Sequence, residues 1–157
     1  MVLVVDGVFL MIKLKFILLI PILILCCSCS SNTPLASNSK DTLFNRIGGQ
    51  EVLEGMVDNL VKNIGQDDVI FHFFADSNVT RFKEKLYLHL CEVTDGPCTY
   101  DGDSMVDIHT GMNVREGDFN HLVELMIKAM DSSGITYPLQ NELLSRLVPL
   151  RKEIIKL

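Results

Sequence analysis

The sequence predicts an all-α fold behind an N-terminal targeting segment. Three observations carry that prediction. From Asp41 onward, apolar residues recur at helical spacing in segment after segment. Those segments are separated by chain-breaking residues at Gly48-Gly49, Gly65 and Asp95-Gly96-Pro97. No stretch alternates apolar and polar residues as a half-buried strand would, and no internal repeat is present. With 157 residues the chain suits one domain plus a tail.

The first element stands apart from that fold. Lys13 and Lys15 precede an apolar run from Phe16 to Cys27 that Pro21 interrupts. The run is too short for a comfortable membrane span, which takes about 20 residues, but it fits the apolar part of a secretory signal. The cluster "CCSCSS" and a polar stretch to Lys40 follow. The segment resembles a bacterial lipoprotein signal, in which lipid is attached to the cysteine that begins the mature chain. Cys29 is the expected lipid site, because Ser28 puts a small residue before it. Cys26 stands where such signals usually carry leucine, which keeps Cys27 as the alternative. Residues 1–10 place Asp6 and a second apolar run ahead of the lysines, so Met11 is an alternative start. The expected organisation is a signal over 1–29, a flexible tether over 30–41 and a helical domain over 42–157. The expected location is exported and membrane-anchored by lipid at the periplasmic face. Ser30 directly after Cys29 is not an aspartate retention signal, which favours an outer membrane. An uncleaved anchor is the alternative.

The body is then read in order. Asp41-Thr42 opens a short apolar pattern that Gly48-Gly49 breaks. "QEVLEGMVDNLVKNIGQ" places Val52, Leu53, Met56, Val57, Leu60, Val61 and Ile64 on one helical face, with Gly65 as the stop. "DDVIFHFFADSN" is short and aromatic and suits a turn of helix with a corner. "VTRFKEKLYLHLCEV" carries Phe82, Leu86, His89 and Leu90 at helical spacing. A loop through Tyr100 leads to a short helix that ends on His109. "EGDFNHLVELMIKAMDSSG" has Phe119, Leu122, Val123, Leu125, Met126 and Met130 as its apolar set. "PLQNELLSRLVPLRKEIIKL" has Leu143, Leu144, Leu147, Leu150 and Ile154, with a bend expected at Pro149.

His109 lies in "DGDSMVDIHTGMNVREGDF", on a mostly apolar turn just before Gly111. Read alone it is either a partly buried core histidine or a metal or haem ligand. The order of the surrounding motifs bears on that choice. "LFNRIGGQEVL", "FHFFAD", "RFKEKLYLHL", "DGPCTYDGDSMVDIHTGMNV" and "FNHLVELMIKAMDSSGI" follow one another at spacings that resemble the truncated haemoglobins, and within them group I. The resemblance runs from about Leu43 to Ile155. It implies a compact globin fold, two helices over two, around one haem b. It further implies that His109 binds the haem iron from the proximal side, as a neutral imidazole whose other N–H is oriented by a carbonyl.

The same resemblance assigns the rest of the pocket. Phe74 matches the phenylalanine that wedges against the haem, and Met105, Val114 and Phe119 match proximal apolar contacts. Lys85 and Tyr100 fall where propionate contacts are implied. The distal face departs from the family. Leu60 and Val61 stand where a phenylalanine and a tyrosine are usual, Leu86 stands where a glutamine is common, and Phe82 faces the ligand most directly. Val61, Phe82 and Leu86 carry no hydrogen-bond donor, so weak retention of oxygen is expected. His72 and His121 are read as surface or structural residues. His89 shares the face of Phe82 and Leu86, and is either a half-buried polar residue or part of the haem edge. Cys91 and Cys98 would pair if the domain is exported and their Cα atoms lie within about 7 Å.

Net charge −6 argues against nucleic acid as a partner. No CxxC pair occurs, which disfavours a structural zinc site. The reading that follows is a membrane-tethered haem protein that binds a diatomic gas (oxygen, nitric oxide or carbon monoxide). A nitric oxide dioxygenase or peroxidase-like enzyme is the alternative; it would need a redox partner, since no reductase domain is fused. A haem-free helical interaction lipoprotein is the third.

Overall fold

The computed structural model describes residues 41–156. The expected signal, the lipid site at Cys29 or Cys27, and the tether as far as Lys40 lie outside the described residues. The described residues form helices and connecting turns, with no strand among them, and none of these helices is long and apolar enough to cross a membrane.

Helix α1 (Leu43–Arg46) starts on Thr42, whose hydroxyl accepts from the Asn45 N–H at 3.2 Å. It buries Leu43 and Phe44 and ends at the glycine pair. Gly48 has φ +113, and a Cβ there would sit 2.4 Å from Val52 Cγ2. The turn into α2 (Gly49–Gly65) therefore requires glycine at this position. Helix α2 is the central element, burying Leu53, Met56, Val57, Leu60 and Ile64 against α3 and α5. A 3₁₀ turn (Phe71–Phe73) makes the aromatic corner. Helix α3 (Val79–Val93) is capped by Asn78, which accepts from the Arg81 N–H at 2.9 Å.

Helix α4 (Met105–His109) is five residues long and is capped by the Ser104 hydroxyl, which accepts from the Asp107 N–H at 3.1 Å. Helix α5 (Glu116–Ser132) is fixed at its start by Asp118, whose carboxylate accepts the Arg115 N–H at 2.9 Å. Helix α6 (Tyr137–Leu147) passes into a second 3₁₀ segment (Val148–Glu153) around Pro149. The bend expected at Pro149 is thus a change of helix type, because proline cannot donate the next α-helical bond.

The fully buried core gathers Leu53, Met56 and Leu60 of α2, Leu90 of α3, Met130 of α5 and Leu143 of α6. A second group of apolar residues is only partly buried: Phe82, Leu86, Leu122, Leu144 and Leu147 pack against that core without being sealed. They are the walls of a cavity.

Candidate functional site

That cavity has a volume of about 400 Å³, inside the range of roughly 300–1,000 Å³ typical of cofactor sites. Helix α3 contributes Phe82, Lys85, Leu86, His89 and Leu90 to its wall, and α4 contributes Met105, Ile108 and His109. Helix α2 adds Leu60, the corner adds Phe74, and α5 adds Phe119, Leu122, Val123 and Met126. The C-terminal elements close it with Leu144, Leu147, Leu150, Arg151 and Ile154. The exposed apolar side chains of Ile108 and Val148 belong to this wall too, which is why they are not packed into the core.

His109 is the last residue of α4, and its ring orientation is set locally. Nδ1 lies 2.7 Å from the Met105 carbonyl oxygen one turn earlier. A carbonyl only accepts, so Nδ1 is the donor of this bond, and in a neutral ring Nε2 holds the lone pair. Nε2 has no partner among the described residues. Gly111, with φ +84, then turns the chain away. A smaller void of about 40 Å³ lies against His109, bounded by Phe74, Met112, Val114 and Phe119 among others. Val114 thus meets this void rather than the main cavity.

Most of the residues expected at the site come together: Phe74, Phe82, Lys85, Leu86, Tyr100, Met105, His109 and Phe119 share the wall with Leu60. Of the two neighbours Leu60 and Val61, Leu60 lines the cavity, and Val61 is partly buried and packed against the core. Neighbouring residues on a helix point about 100° apart, so the two meet different surroundings.

The polar groups cluster at the rim. Lys85 Nζ donates to Asp101 Oδ1 at 2.6 Å, and this contact pushes the lysine up and holds the Asp101 carboxyl below its ordinary range. The Tyr100 hydroxyl donates to the Asp103 carbonyl at 2.9 Å, and burial pushes Tyr100 up. The His89 ring sits half-buried, edge-on to Tyr100 at 5.2 Å, and burial pushes its pKa down. His72 is exposed and stacks on Phe73 at 4.0 Å. His121 lies away from the wall; its Nε2 donates to Asp67 Oδ2 at 2.7 Å.

Arg151 was not foreseen. It lines the cavity, lies over the Phe119 ring at 5.8 Å and pairs with Glu116 at 3.5 Å. Its four-residue spacing from Leu147 was the available signal, and the change of helix type at Pro149 obscured it. Asn120 and Val148 also went unread as wall residues.

Cys91 and Cys98 are joined by a disulfide, with Cα atoms 5.8 Å apart. Gly96 is enclosed between them, where a Cβ would meet Cys91 Sγ at 2.6 Å and Phe44 at 2.8 Å.

A large apolar cavity with one oriented imidazole and cations at its rim has the chemistry of a macrocycle site. No group of three or more His, Cys, Asp or Glu residues suited to a metal ion occurs among the described residues. A metal here would therefore arrive with most of its ligands already supplied, and the residues fit haem. The family model of the bacterial-like globins matches residues 42–156. The chain belongs to the bacterial-like globin family. It is a truncated haemoglobin, and truncated haemoglobins bind haem with iron.

A group 1 truncated hemoglobin of Nostoc sp. (strain MUN 8820) is 30% identical to the globin over 95 residues, covering 60% of this chain and 80% of the relative. That of Mycolicibacterium paratuberculosis is 28% identical over 113 residues, covering 72% and 83%. Among solved structures, the Fe(III) form of truncated hemoglobin from Tetrahymena pyriformis superposes with a TM-score of 0.71 at 23% identity, over 74% of this chain and 99% of that one. The group II truncated hemoglobin of Bacillus anthracis gives 0.66 at 21%, over 73% and 91%. The globin thus has the two-over-two fold.

Proposed function

We propose that His109 would hold the haem iron and that the globin reversibly binds a diatomic gas beside Leu60, Phe82 and Leu86. The observation that carries this is the His109 Nδ1 bond to the Met105 carbonyl, which fixes the ring and leaves Nε2 on the cavity wall. When bound, haem supplies an iron with a coordination position for a small gas. The chain excludes water with an apolar wall and, through Leu60, Phe82 and Leu86, offers that gas no hydrogen bond. Oxygen gains more from a donor than carbon monoxide or nitric oxide does, so this wall discriminates against oxygen relative to them.

The test is the absorption spectrum of the purified chain mixed with haem, beside His109→Ala. The expected outcome is a ferrous, five-coordinate, histidine-ligated spectrum that the variant loses. An unchanged spectrum in His109→Ala would exclude this histidine as the ligand.

We also propose that the globin is exported and held at a membrane by lipid on Cys29. The disulfide between Cys91 and Cys98 supports export, since such bonds persist in oxidising compartments. Labelling with a radioactive fatty acid should mark the chain, and Cys29→Ser should abolish the label. Retained label in Cys29→Ser with loss in Cys27→Ser would move the site to Cys27.

A further inference from the structure

Resting on the haem reading above, we infer that His89 is a carboxylate-binding residue of the cofactor cavity, acting with Lys85 on a carboxylate carried at the haem edge. The two residues lie four apart on α3, so they share one face of the helix. Both border the cavity, whereas Phe82, Leu86 and Leu90 make the rest of the α3 wall apolar.

His89 is a polar ring in a place that otherwise suits an apolar one. It is half-buried and has no hydrogen-bond partner among the described residues. Tyr100 closes one side of the ring edge-on, and the Tyr100 hydroxyl donates elsewhere, to the Asp103 carbonyl. Its ring nitrogens are not sealed by protein atoms, so on the cavity wall they are open to a partner carried by the cavity's occupant.

The neighbours decide the chemistry of that partner. Lys85 already holds the Asp101 carboxylate at 2.6 Å, so this corner accepts an anion with carboxylate geometry. Burial keeps His89 neutral, which leaves it one N–H to donate; Glu92 on the same helix opposes that effect. A lysine and an imidazole N–H together suit a carboxylate and repel a cation. Haem carries two carboxylates at one edge.

The experiment compares haem with its dimethyl ester in the full chain and measures the rate of loss to an excess of a haem-scavenging protein. His89→Phe should speed loss of haem by about tenfold while leaving loss of the ester unchanged. His89→Gln, which keeps an N–H donor, should restore most of the retention and guards against misfolding of the phenylalanine variant. Equal effects of His89→Phe on haem and ester, or no effect on either, would overturn the inference and leave His89 a packing residue. If the unmodified chain gives no histidine-ligated haem spectrum, the haem reading itself fails, and that is seen before any rate is measured.

Discussion

His109 and His89 border one cavity and differ in what their ring nitrogens meet. His109 has its proton fixed by the Met105 carbonyl, while His89 has an aromatic edge and no hydrogen bond. The residues proposed to face the gas are as telling. Leu60, Phe82 and Leu86 offer only hydrocarbon to a small polar ligand. One added donor contributes roughly 1–3 kcal/mol, which is one to two decades in rate. Leu86→Gln should therefore slow oxygen dissociation by about ten- to a hundredfold while changing carbon monoxide dissociation much less. Stopped-flow measurement of both rates checks this, and an equal change in both would show that Leu86 acts only by bulk.

At the scale of elements, the end of α3 is held by covalent and steric constraints together. The disulfide spans seven residues, and Thr94, buried in that span, donates its hydroxyl to the Leu90 carbonyl at 2.7 Å. Arg146 of α6 reaches the same corner, donating to Asp95 Oδ2 at 2.6 Å and to the Val93 carbonyl at 2.8 Å. A loop of this length restricts the unfolded chain by about 2.5 kcal/mol on the entropy account. Reduction should lower the urea unfolding free energy by about that amount. Comparison of the oxidised chain with Cys91→Ala/Cys98→Ala measures it. Because the closed loop leads into Tyr100, this corner also sets one edge of the cavity.

Across the whole molecule, one polar contact ties α5 to the turn after α2. His121 donates to Asp67, and the same carboxylate accepts the backbone N–H groups of Val69 and Ile70, both at 3.0 Å. The His121 bond chiefly holds the Asp67 carboxyl below its ordinary value of 3.8, with burial opposing. The unfolded chain lacks that bond and takes up the proton first as pH falls. The stability from Asp67 is therefore present above pH 3.8 and lost as pH drops through the lower folded value. Asp67→Asn should be less stable than the natural chain near neutrality, and its stability should fall less steeply below that pH. Urea titrations across the acid range check this; parallel pH profiles would show that Asp67 does not titrate with folding.

Local chemistry was enough to determine the helices. The apolar spacing in α2, α3 and α5 and the Gly48-Gly49 break act within a few residues, so they are legible along the chain. The order of motifs around His109 was legible for the same reason, and so was the absence of a donor at Phe82 and Leu86. Tertiary structure decided what local spacing cannot. Leu60 and Val61 read as equivalent members of one stripe, and only the packing of α2 against α3 and α5 sets Leu60 against the cavity. Arg151 enters the site because the segment after Pro149 folds back onto α4 and α5. The His89 imidazole acquires its meaning only where α3 meets Tyr100, since a hydrogen bond left unmade is a property of surroundings drawn from distant parts of the chain.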